Sequence, residues 1–308
     1  MNQELPIRFC EPEQVTPDTW VIRQLAGEGM GPVASYVNSS VILGAEPVIV
    51  DCGPAITRDE WMETTFSLVD PADVKWVFLS HDDVDHTGNL LQVLEACPNA
   101  TLVTTAFMVE RMSADYGMAL PLPRMRWVND GDRIDAGDRE LVAVTPPTYD
   151  SPTTRGLYDT KSGVYWASDA MGSPVPHEVS DITELDPGFW RDAFLSQQLM
   201  VSPWLSWTSP ERYDQVIDRL RSLGASVVTT AHGPALRGSQ IDSACRLLRE
   251  LPYLPPVTLP GQVDLETIVA MLAAGAPPEA PAADVVADLP EAPAAKAPLS
   301  ATVRETAA

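Results

Sequence analysis

The run Ser80–Asn89, which reads SHDDVDHTGN, is the feature that most constrains what this chain can fold into. It places two histidines and three aspartates within six residues, directly after the apolar stretch Val74–Leu79. A strand that delivers such side chains onto one loop aims several ligands at a single point, as a rigid metal site requires. Carboxylates and imidazoles crowded at a strand end repel one another or lack partners unless a cation lies among them. The run therefore predicts a metal site, with a solvated acidic turn as the simpler alternative.

Length and charge bound the classes of protein that fit. With 308 residues and 45% hydrophobic content, the chain can bury the core of one large or two small domains. Its net charge of -23 argues against nucleic acid and against anionic membrane surfaces as partners. We see no stretch long and apolar enough to cross a bilayer and no secretory signal, so we expect a cytoplasmic protein. Four scattered cysteines are expected to be reduced thiols: Cys10, Cys52, Cys97 and Cys245.

Strand-like and helical segments alternate in both halves of the chain. The first half has β-rich runs between Thr19 and Gly53, then a predicted helix over Arg58–Leu68 and a strand over Asp73–Leu79. The second half repeats the pattern, with strands between Glu140 and Ser168 and a helix over Pro210–Leu223. This repetition predicts an α/β fold of two packed sheets with helices outside, an αββα sandwich.

The last part of the chain has a different composition. From about Ala276 onward Pro, Ala and acidic residues dominate and aromatic residues are absent. Such a segment cannot bury enough apolar surface to offset the entropy of folding. We therefore expect one folded domain over residues 1–275 and a disordered tail over residues 276–308.

Three further candidate ligands lie where predicted strands end. Asp169 follows the strand ending at Ser168, and His232 follows the strand over 226–230. Asp150 lies in the turn-rich segment 146–152. A lone aspartate at such a position is more often a helix cap, and a lone histidine before Gly-Pro is more often a loop residue. Together with the run at 81–86, their order favours ligands of one shared site.

In these motifs the chain resembles the metallo-β-lactamase fold, and within it the branch of flavodiiron and oxygen-binding di-iron proteins. Hydrolytic members carry H-x-H-x-D-H, whereas the di-iron branch carries H-x-E-x-D-H with a carboxylate in the second slot. This chain has His81-x-Asp83-x-Asp85-His86, nearer to the second pattern. The resemblance spans residues 19–240 and includes Thr87-Gly88-Asn89, Pro98-Asn99-Ala100-Thr101, Ser168–Gly172, Met200–Pro203 and His232-Gly233-Pro234.

The resemblance implies a dinuclear site and assigns its ligands. One metal would take His81, Asp83 and a residue near 150. The other would take Asp85, His86 and His232, with Asp169 bridging the two metals. The family has histidine in the third slot of the first metal; here that slot falls on Asp150, or on Tyr149 if the alignment shifts by one residue.

Another histidine, His177, lies after the bridging position, where the di-iron branch has a histidine close to its metal ligands. The resemblance implies that His177 donates a proton or orients a bound ligand, and a plain surface-loop histidine is the equal alternative. His177 and Tyr149 are therefore the two candidate catalytic residues. Tyr149 is also the alternative to Asp150 as a ligand of the first metal.

The resemblance implies two iron ions as cofactors, with zinc or manganese as alternatives. A set of four carboxylates and three imidazoles is rich in hard oxygen donors, which suit iron or manganese better than zinc. The leading hypothesis is a non-haem di-iron oxidoreductase or oxygen and redox sensor that binds or reduces O2 or NO. The flavodoxin domain that usually follows in flavodiiron proteins is not found in this sequence, so turnover implies an external electron donor.

Other functions stay open at this point. One variant is an oxygenase for a small organic substrate, for which Trp166, Trp190, Trp204 and Trp207 are candidate pocket residues. Another is a two-metal hydrolase of esters, lactones or phosphodiesters with the same fold. A third is a degenerate member that only binds a partner. A homodimer is a candidate assembly that the sequence does not decide.

Overall fold

The computed structural model describes residues 7–115, 117 and 120–273. Its centre is two β-sheets packed face to face, and helices cover their outer faces. The predicted αββα sandwich is confirmed. The tail expected over 276–308 lies outside the described residues.

Within residues 7–115, 117 and 120–273, the structure has sixteen strands and eight α-helices. The strands are β1 Ile7–Phe9, β2 Glu13–Thr16, β3 Thr19–Ile22, β4 Gln24–Ala26, β5 Ser35–Tyr36, β6 Ser39–Ile42, β7 Val48–Val50, β8 Trp76–Phe78, β9 Thr101–Thr104, β10 Met125–Trp127, β11 Arg133–Asp135, β12 Glu140–Val144, β13 Gly156–Asp159, β14 Val164–Trp166, β15 Val227–Thr229 and β16 Leu236–Arg237. The helices are α1 Arg58–Leu68, α2 Val84–Thr87, α3 Leu90–Ala96, α4 Ala106–Asp115, α5 Pro187–Val201, α6 Pro210–Ser222, α7 Ser239–Glu250 and α8 Gln262–Ala273. The predicted helix over Arg58–Leu68 is confirmed with both bounds, and the one predicted from Pro210 ends one residue earlier than expected.

The two large sheets have different strand orders. The first runs β10-β9-β8-β7-β6-β3-β2, and its strands are parallel from β7 through β10. The second runs β11-β12-β13-β14-β15-β16, with β14 and β15 parallel. The strands β1, β4 and β5 form a third, small sheet in the order β1-β4-β5. Parallel strands direct their carboxyl ends to one edge, which is where ligands bind in sheets of this kind.

Three apolar layers hold the sandwich together. The layer between the sheets contains buried Val50 and Phe78 from the first sheet and Leu141 and Trp166 from the second. The other two layers lie on the helix side of each sheet and are built around Trp61 and Leu90 in one case and Phe194, Ile217 and Leu248 in the other. Burying each such side chain contributes roughly 1.5–3 kcal/mol. This packing fixes both sheets as rigid supports for the loops at their edge.

The histidine-bearing run is shaped by close backbone packing. It was predicted as a loop, but Val84–Thr87 forms the helical turn α2, which carries Asp85 and His86. The His86 carbonyl accepts a hydrogen bond from Cys52 N at 2.7 Å. A Cβ on Gly88 would lie 2.3 Å from the backbone nitrogen of Ala55, so only glycine fits there. The glycine therefore lets the His86 turn dock against the segment that follows β7.

Two expectations from composition can be compared with the structure. Cys10, Cys52, Cys97 and Cys245 are all buried and carry free thiols, as expected. No helix among the described residues is both long enough and apolar enough to cross a lipid bilayer.

Candidate metal centre

The structure brings all seven candidate ligands to one edge of the sandwich. They come from the segments that follow β8, β12, β14 and β15, so both sheets contribute. Three overlapping groups have ligand atoms within 4.8 Å of one another: His81 with His86 and Asp169, Asp85 with His86 and His232, and His81 with Asp83 and Asp150. Residues 81 and 232 are far apart in the chain, so the fold assembles this cluster.

Asp169 is the centre of the cluster. Its Oδ2 lies 3.3 Å from His81 Nε2. Its Oδ1 lies 3.1 Å from His86 Nε2 and 3.3 Å from His232 Nε2. The two oxygens of one carboxylate thus face two separate sets of imidazoles, which is the geometry of a bridge between two cations.

Other carboxylates complete each side. On the first side, Asp83 Oδ2 lies 3.7 Å from His81 Nε2, and Asp150 belongs to the same group. On the second side, Asp85 Oδ2 lies 3.5 Å from His86 Nε2 and 3.6 Å from His232 Nε2. Asp150 is exposed and Asp83 half-buried, whereas His86 is fully buried. The first side is therefore the one that opens to solvent.

Several buried atoms in this cluster lack hydrogen-bond partners. His81 Nε2, His86 Nε2 and Asp169 Oδ1 are all buried and make no hydrogen bond with the described residues. A buried polar atom without a partner costs about 1–3 kcal/mol, so native structures rarely tolerate three together. Atoms that converge without bonding one another are what a set of metal ligands looks like, and the residues fit a dinuclear metal group.

The pKa shifts in the cluster reflect close contact between carboxylates and imidazoles. Burial and the nearby His86 lower the pKa of His81, but the carboxylates of Asp169 and Asp83 outweigh both and raise it to about 10. Burial likewise opposes the carboxylates around His86, yet its pKa is raised well above the usual value. Burial raises the pKa of Asp169, but the imidazoles of His81, His232 and His86 hold it well below its usual range. The four carboxylates of Asp83, Asp85, Asp150 and Asp169 would balance the charge of two divalent cations.

Asp150 differs from the other carboxylates. Its partial desolvation and the charge of Asp169 raise its pKa, while His81 lowers it. A carboxylate at this position is thus disfavoured by its neighbours unless a cation lies close by.

A residue missed in the sequence, Asp51, holds the second-side histidine. It follows β7 and is fully buried, and its Oδ2 lies 2.9 Å from His86 Nδ1. It also accepts hydrogen bonds from Ser80 N and Ser80 Oγ, both at 2.7 Å, and from Trp166 Nε1 at 3.1 Å. A carboxylate on the outer nitrogen fixes the tautomer and ring orientation of a ligating histidine. The only sequence signal was an aspartate directly after an apolar strand.

The other two histidines are oriented in the same way. His81 Nδ1 lies 3.2 Å from both Ser80 Oγ and Ser168 Oγ. His232 Nδ1 lies 2.8 Å from the backbone carbonyl of Tyr36 and donates to it. All three imidazoles therefore use Nδ1 for support and direct Nε2 toward Asp169, so the free nitrogen is the one available to a metal.

Backbone strain is concentrated around the cluster. Among the described residues, the non-glycine positions with positive φ are Asp51 (59°), Ser168 (56°) and Met171 (62°). Each costs of order 1–3 kcal/mol and persists only where the surroundings hold it in place. A Cβ on Gly172 would lie 2.9 Å from the His232 carbonyl oxygen, so this glycine lets the Asp169 and His232 loops pack together.

The structure separates the residues whose roles were left open. The Tyr149 ring packs on Trp204, with ring centroids 5.0 Å apart, whereas an Asp150 carboxylate oxygen lies within 4.8 Å of ligand atoms of His81 and Asp83. His177 is exposed, and its imidazole helps to lower the pKa of Glu28. It does not belong to any of the three ligand groups found in the described part of the chain. Asp82 is buried but turned away, because Arg111 Nε lies 2.8 Å from its Oδ2 and Thr153 donates to its Oδ1. The geometry favours Asp150 over Tyr149 at the first side.

A comparison with protein families identifies the domain. Residues 36–233 match the model described as the ODP family beta lactamase, which covers more than half of the chain. The chain belongs to this family. The matched region contains every candidate ligand described above.

Named proteins from other organisms are similar in sequence to this chain. The chain is 30% identical over 241 residues to the "Putative diflavin flavoprotein A 2" of Nostoc sp., covering 73% of this chain and 39% of the relative. It is 25% identical over 155 residues to the "Anaerobic nitric oxide reductase flavorubredoxin" of Salmonella typhi, covering 50% of this chain and 32% of the relative. The chain thus spans about two fifths or less of the length of these relatives.

Solved structures share the fold. The rubredoxin oxygen:oxidoreductase of Desulfovibrio gigas superposes with a TM-score of 0.67 at 16% identity, over 78% of this chain and 61% of that one. The flavodiiron protein of Giardia intestinalis gives a TM-score of 0.66 at 18% identity, over 80% of this chain and 60% of that one. At this identity the likeness shows that the chains share the sandwich architecture.

Proposed function

We propose that this ODP-family domain holds a non-haem di-iron centre that binds or reduces O2 or NO. The observation that carries the proposal is the position of Asp169, whose two oxygens face His81 on one side and His86 with His232 on the other. The names of relatives point the same way, because one is a nitric oxide reductase and one solved neighbour an oxygen oxidoreductase.

The donor set supports iron over zinc. His81, Asp83 and Asp150 would hold the first metal, and Asp85, His86 and His232 the second, with Asp169 shared. Zinc sites usually combine more nitrogen or sulfur donors, whereas carboxylate with imidazole suits iron and manganese. When bound, two adjacent ferrous ions would supply electrons and coordination positions for a diatomic gas. Asp169 would set their separation, and exposed Asp150 would leave the first side accessible.

Electrons for repeated turnover would come from a separate donor protein. A sensor that responds stoichiometrically to O2 or NO fits the same site without one.

Metal content and single-turnover gas uptake test this proposal together. Protein produced with iron, zinc and manganese all supplied is expected to retain about two iron ions per chain after anaerobic purification. After reduction and removal of excess reductant, this protein should consume O2 or NO, as followed with a gas electrode. Zinc-loaded protein is the control, since zinc cannot be oxidised. Two tightly held zinc ions, no gas uptake by the iron form and hydrolysis of a lactone or phosphodiester would overturn the proposal in favour of a hydrolase.

An Asp150→His variant is expected to hold the first metal more tightly than the native chain. Imidazole matches ferrous iron better than carboxylate does, and the substitution also removes a charge that Asp169 repels. At limiting ferrous iron, occupancy should rise from about one ion per chain toward about two. Iron content measured after anaerobic desalting reports this directly.

Tyr149→Phe, at the adjacent residue, is the matched control variant for that experiment. Because the Tyr149 ring packs on Trp204, its substitution should leave iron content and the visible spectrum unchanged. An intense visible band in the native ferric protein that Tyr149→Phe removes would show instead that the phenolate binds iron. Unchanged iron binding in Asp150→His would show that this loop does not reach the first metal.

A further inference from the structure

A cavity lies on the other side of the loop that carries Asp150, away from the candidate metal centre. It has a volume of about 670 Å³, a size typical of small-molecule sites. It is open to solvent on one side and bounded by the segment after β12, the turn over Pro203–Trp207 and one face of α6. Its lining includes Tyr149, Trp204, Trp207, Tyr213, Arg212 and Asp130. None of its lining residues belongs to the candidate metal ligands.

Aromatic rings form the walls of this cavity. Trp204 and Tyr149 pack with ring centroids 5.0 Å apart, and Trp204 Nε1 donates to the Tyr149 carbonyl at 3.0 Å. These two contacts hold both rings in place. Trp207 is 87% exposed, which is unusual for the largest apolar side chain. A free indole beside two fixed rings offers stacking surface to a planar ligand.

The wall of the cavity contains one charged side chain without a partner among the described residues, and that side chain is the positively charged Arg212. Asp130 is already neutralised, because Arg219 Nη2 lies 2.5 Å from its Oδ1 and the Thr145 N–H donates to the same oxygen at 2.7 Å. Arg212 also lines the cavity, yet within the described part of the chain its guanidinium has neither an ion pair nor a hydrogen bond, unlike every other arginine there. Arg212 is exposed, so its guanidinium is accessible to a ligand in the cavity.

We propose that this cavity is a binding site for a small aromatic carboxylate. The ring would stack among Trp204, Trp207 and Tyr149, and the acid would pair with Arg212. A guanidinium binds carboxylate oxygens with two parallel hydrogen bonds, which fixes the orientation of the ligand. An aromatic cage can also hold an organic cation, but such cages lack an unpaired guanidinium in their wall.

The cavity and the candidate metal centre share one loop. Tyr149 lines the cavity, and the next residue, Asp150, belongs to the group around His81. A ligand that fills the cavity therefore contacts the loop that shapes the first side of the metal centre. The binding itself uses no metal, so the inference does not rest on the proposed di-iron function.

Calorimetric titration with matched probes tests the site. We would titrate the full chain with 2-naphthoate, its neutral amide 2-naphthamide, cyclohexanecarboxylate and benzyltrimethylammonium, first without metal and then with iron bound. We expect 2-naphthoate to bind at least about tenfold more tightly than the amide, since only the acid can form a hydrogen-bonded ion pair with Arg212. Cyclohexanecarboxylate should bind more weakly than 2-naphthoate, because it cannot stack.

Two variants separate charge from stacking. Arg212→Gln should remove the preference of acid over amide, whereas Trp207→Ala should weaken both aromatic probes together. Arg246→Gln is the control, since Arg246 is exposed on α7 and does not line the cavity. Arg212→Gln and Trp207→Ala both alter exposed side chains, and an unchanged melting temperature would confirm that each variant folds.

Several results would overturn the proposal. Equal affinity for acid and amide, an acid preference that survives Arg212→Gln, tighter binding of the ammonium probe, or no saturable binding would each do so. Binding of 2-naphthoate by protein that never retains iron would support this site while removing the di-iron proposal, so the two can fail separately.

Discussion

An Asp169→Ala variant is expected to retain neither metal ion. Asp169 is the one side chain that faces all three imidazoles, with its two oxygens divided between His81 and the pair His86 and His232. Without it, each side loses a ligand and the charge that offsets two neighbouring cations. Iron content after anaerobic desalting should fall from about two ions per chain to nearly none.

Single-side variants make this result specific. Asp83 lies in the group around His81 alone, and Asp85 in the group with His86 and His232 alone. Asp83→Ala and Asp85→Ala should therefore each empty one position and leave the other largely filled. Circular dichroism would check that all three variants fold. Retention of two metals by Asp169→Ala, or loss of both metals in all three variants, would contradict a bridging role.

Most of the candidate site could be predicted from the sequence, because its ligands come directly after predicted strands. His81 comes three residues after β8 and Asp169 three residues after β14, so a strand prediction already sends both side chains to a sheet edge. The order of strands and ligands along the chain did not predict how the two sheets pack against each other. That depends on the layer between them, where Phe78 and Trp166 pack together in one apolar cluster.

The choice between Tyr149 and Asp150 shows why loops resist prediction. The segment between β12 and β13 has no periodic pattern, and its conformation is set by Ser202, which accepts from Tyr149 N and donates to Tyr149 O. Those contacts join residues more than 50 positions apart in the chain. A one-residue shift in this loop would exchange the two side chains, so only the folded arrangement favours Asp150.

The role predicted for His177 rests on sequence position alone. A scarce residue type near a motif invites a functional role, yet His177 is exposed and close to Glu28, away from the three ligand groups seen in the described residues. Its proposed part in proton donation gains no support from this geometry and stays a prediction. Asp51 was overlooked because its partner His86 lies 35 positions away, and an aspartate at the end of a strand carries no mark of that contact.

Asp51→Ala is expected to be the most destabilising change near the metal centre, even without metal. The substitution would leave Ser80 N, Ser80 Oγ, Trp166 Nε1 and the outer nitrogen of His86 without their shared acceptor, all of them buried. Removing one partner of a buried charged network costs about 3–5 kcal/mol. Alanine would also have to adopt the left-handed conformation at φ 59°, which aspartate tolerates better than alanine does.

Urea unfolding of metal-free protein measures this loss, since bound metal would add its own stabilisation to the native state. Asp51→Asn is the matched variant: asparagine tolerates the left-handed conformation and keeps one acceptor oxygen, so its loss should be clearly smaller. Asp59→Ala, on the exposed face of α1, should change the free energy of unfolding by less than about 0.5 kcal/mol. If Asp51→Ala lost no more than Asp59→Ala, the carboxylate would not be the support of this network. Because Asp51 also fixes the His86 ring, any Asp51→Ala protein that folds should bind the second metal about 10–100-fold more weakly than the native chain.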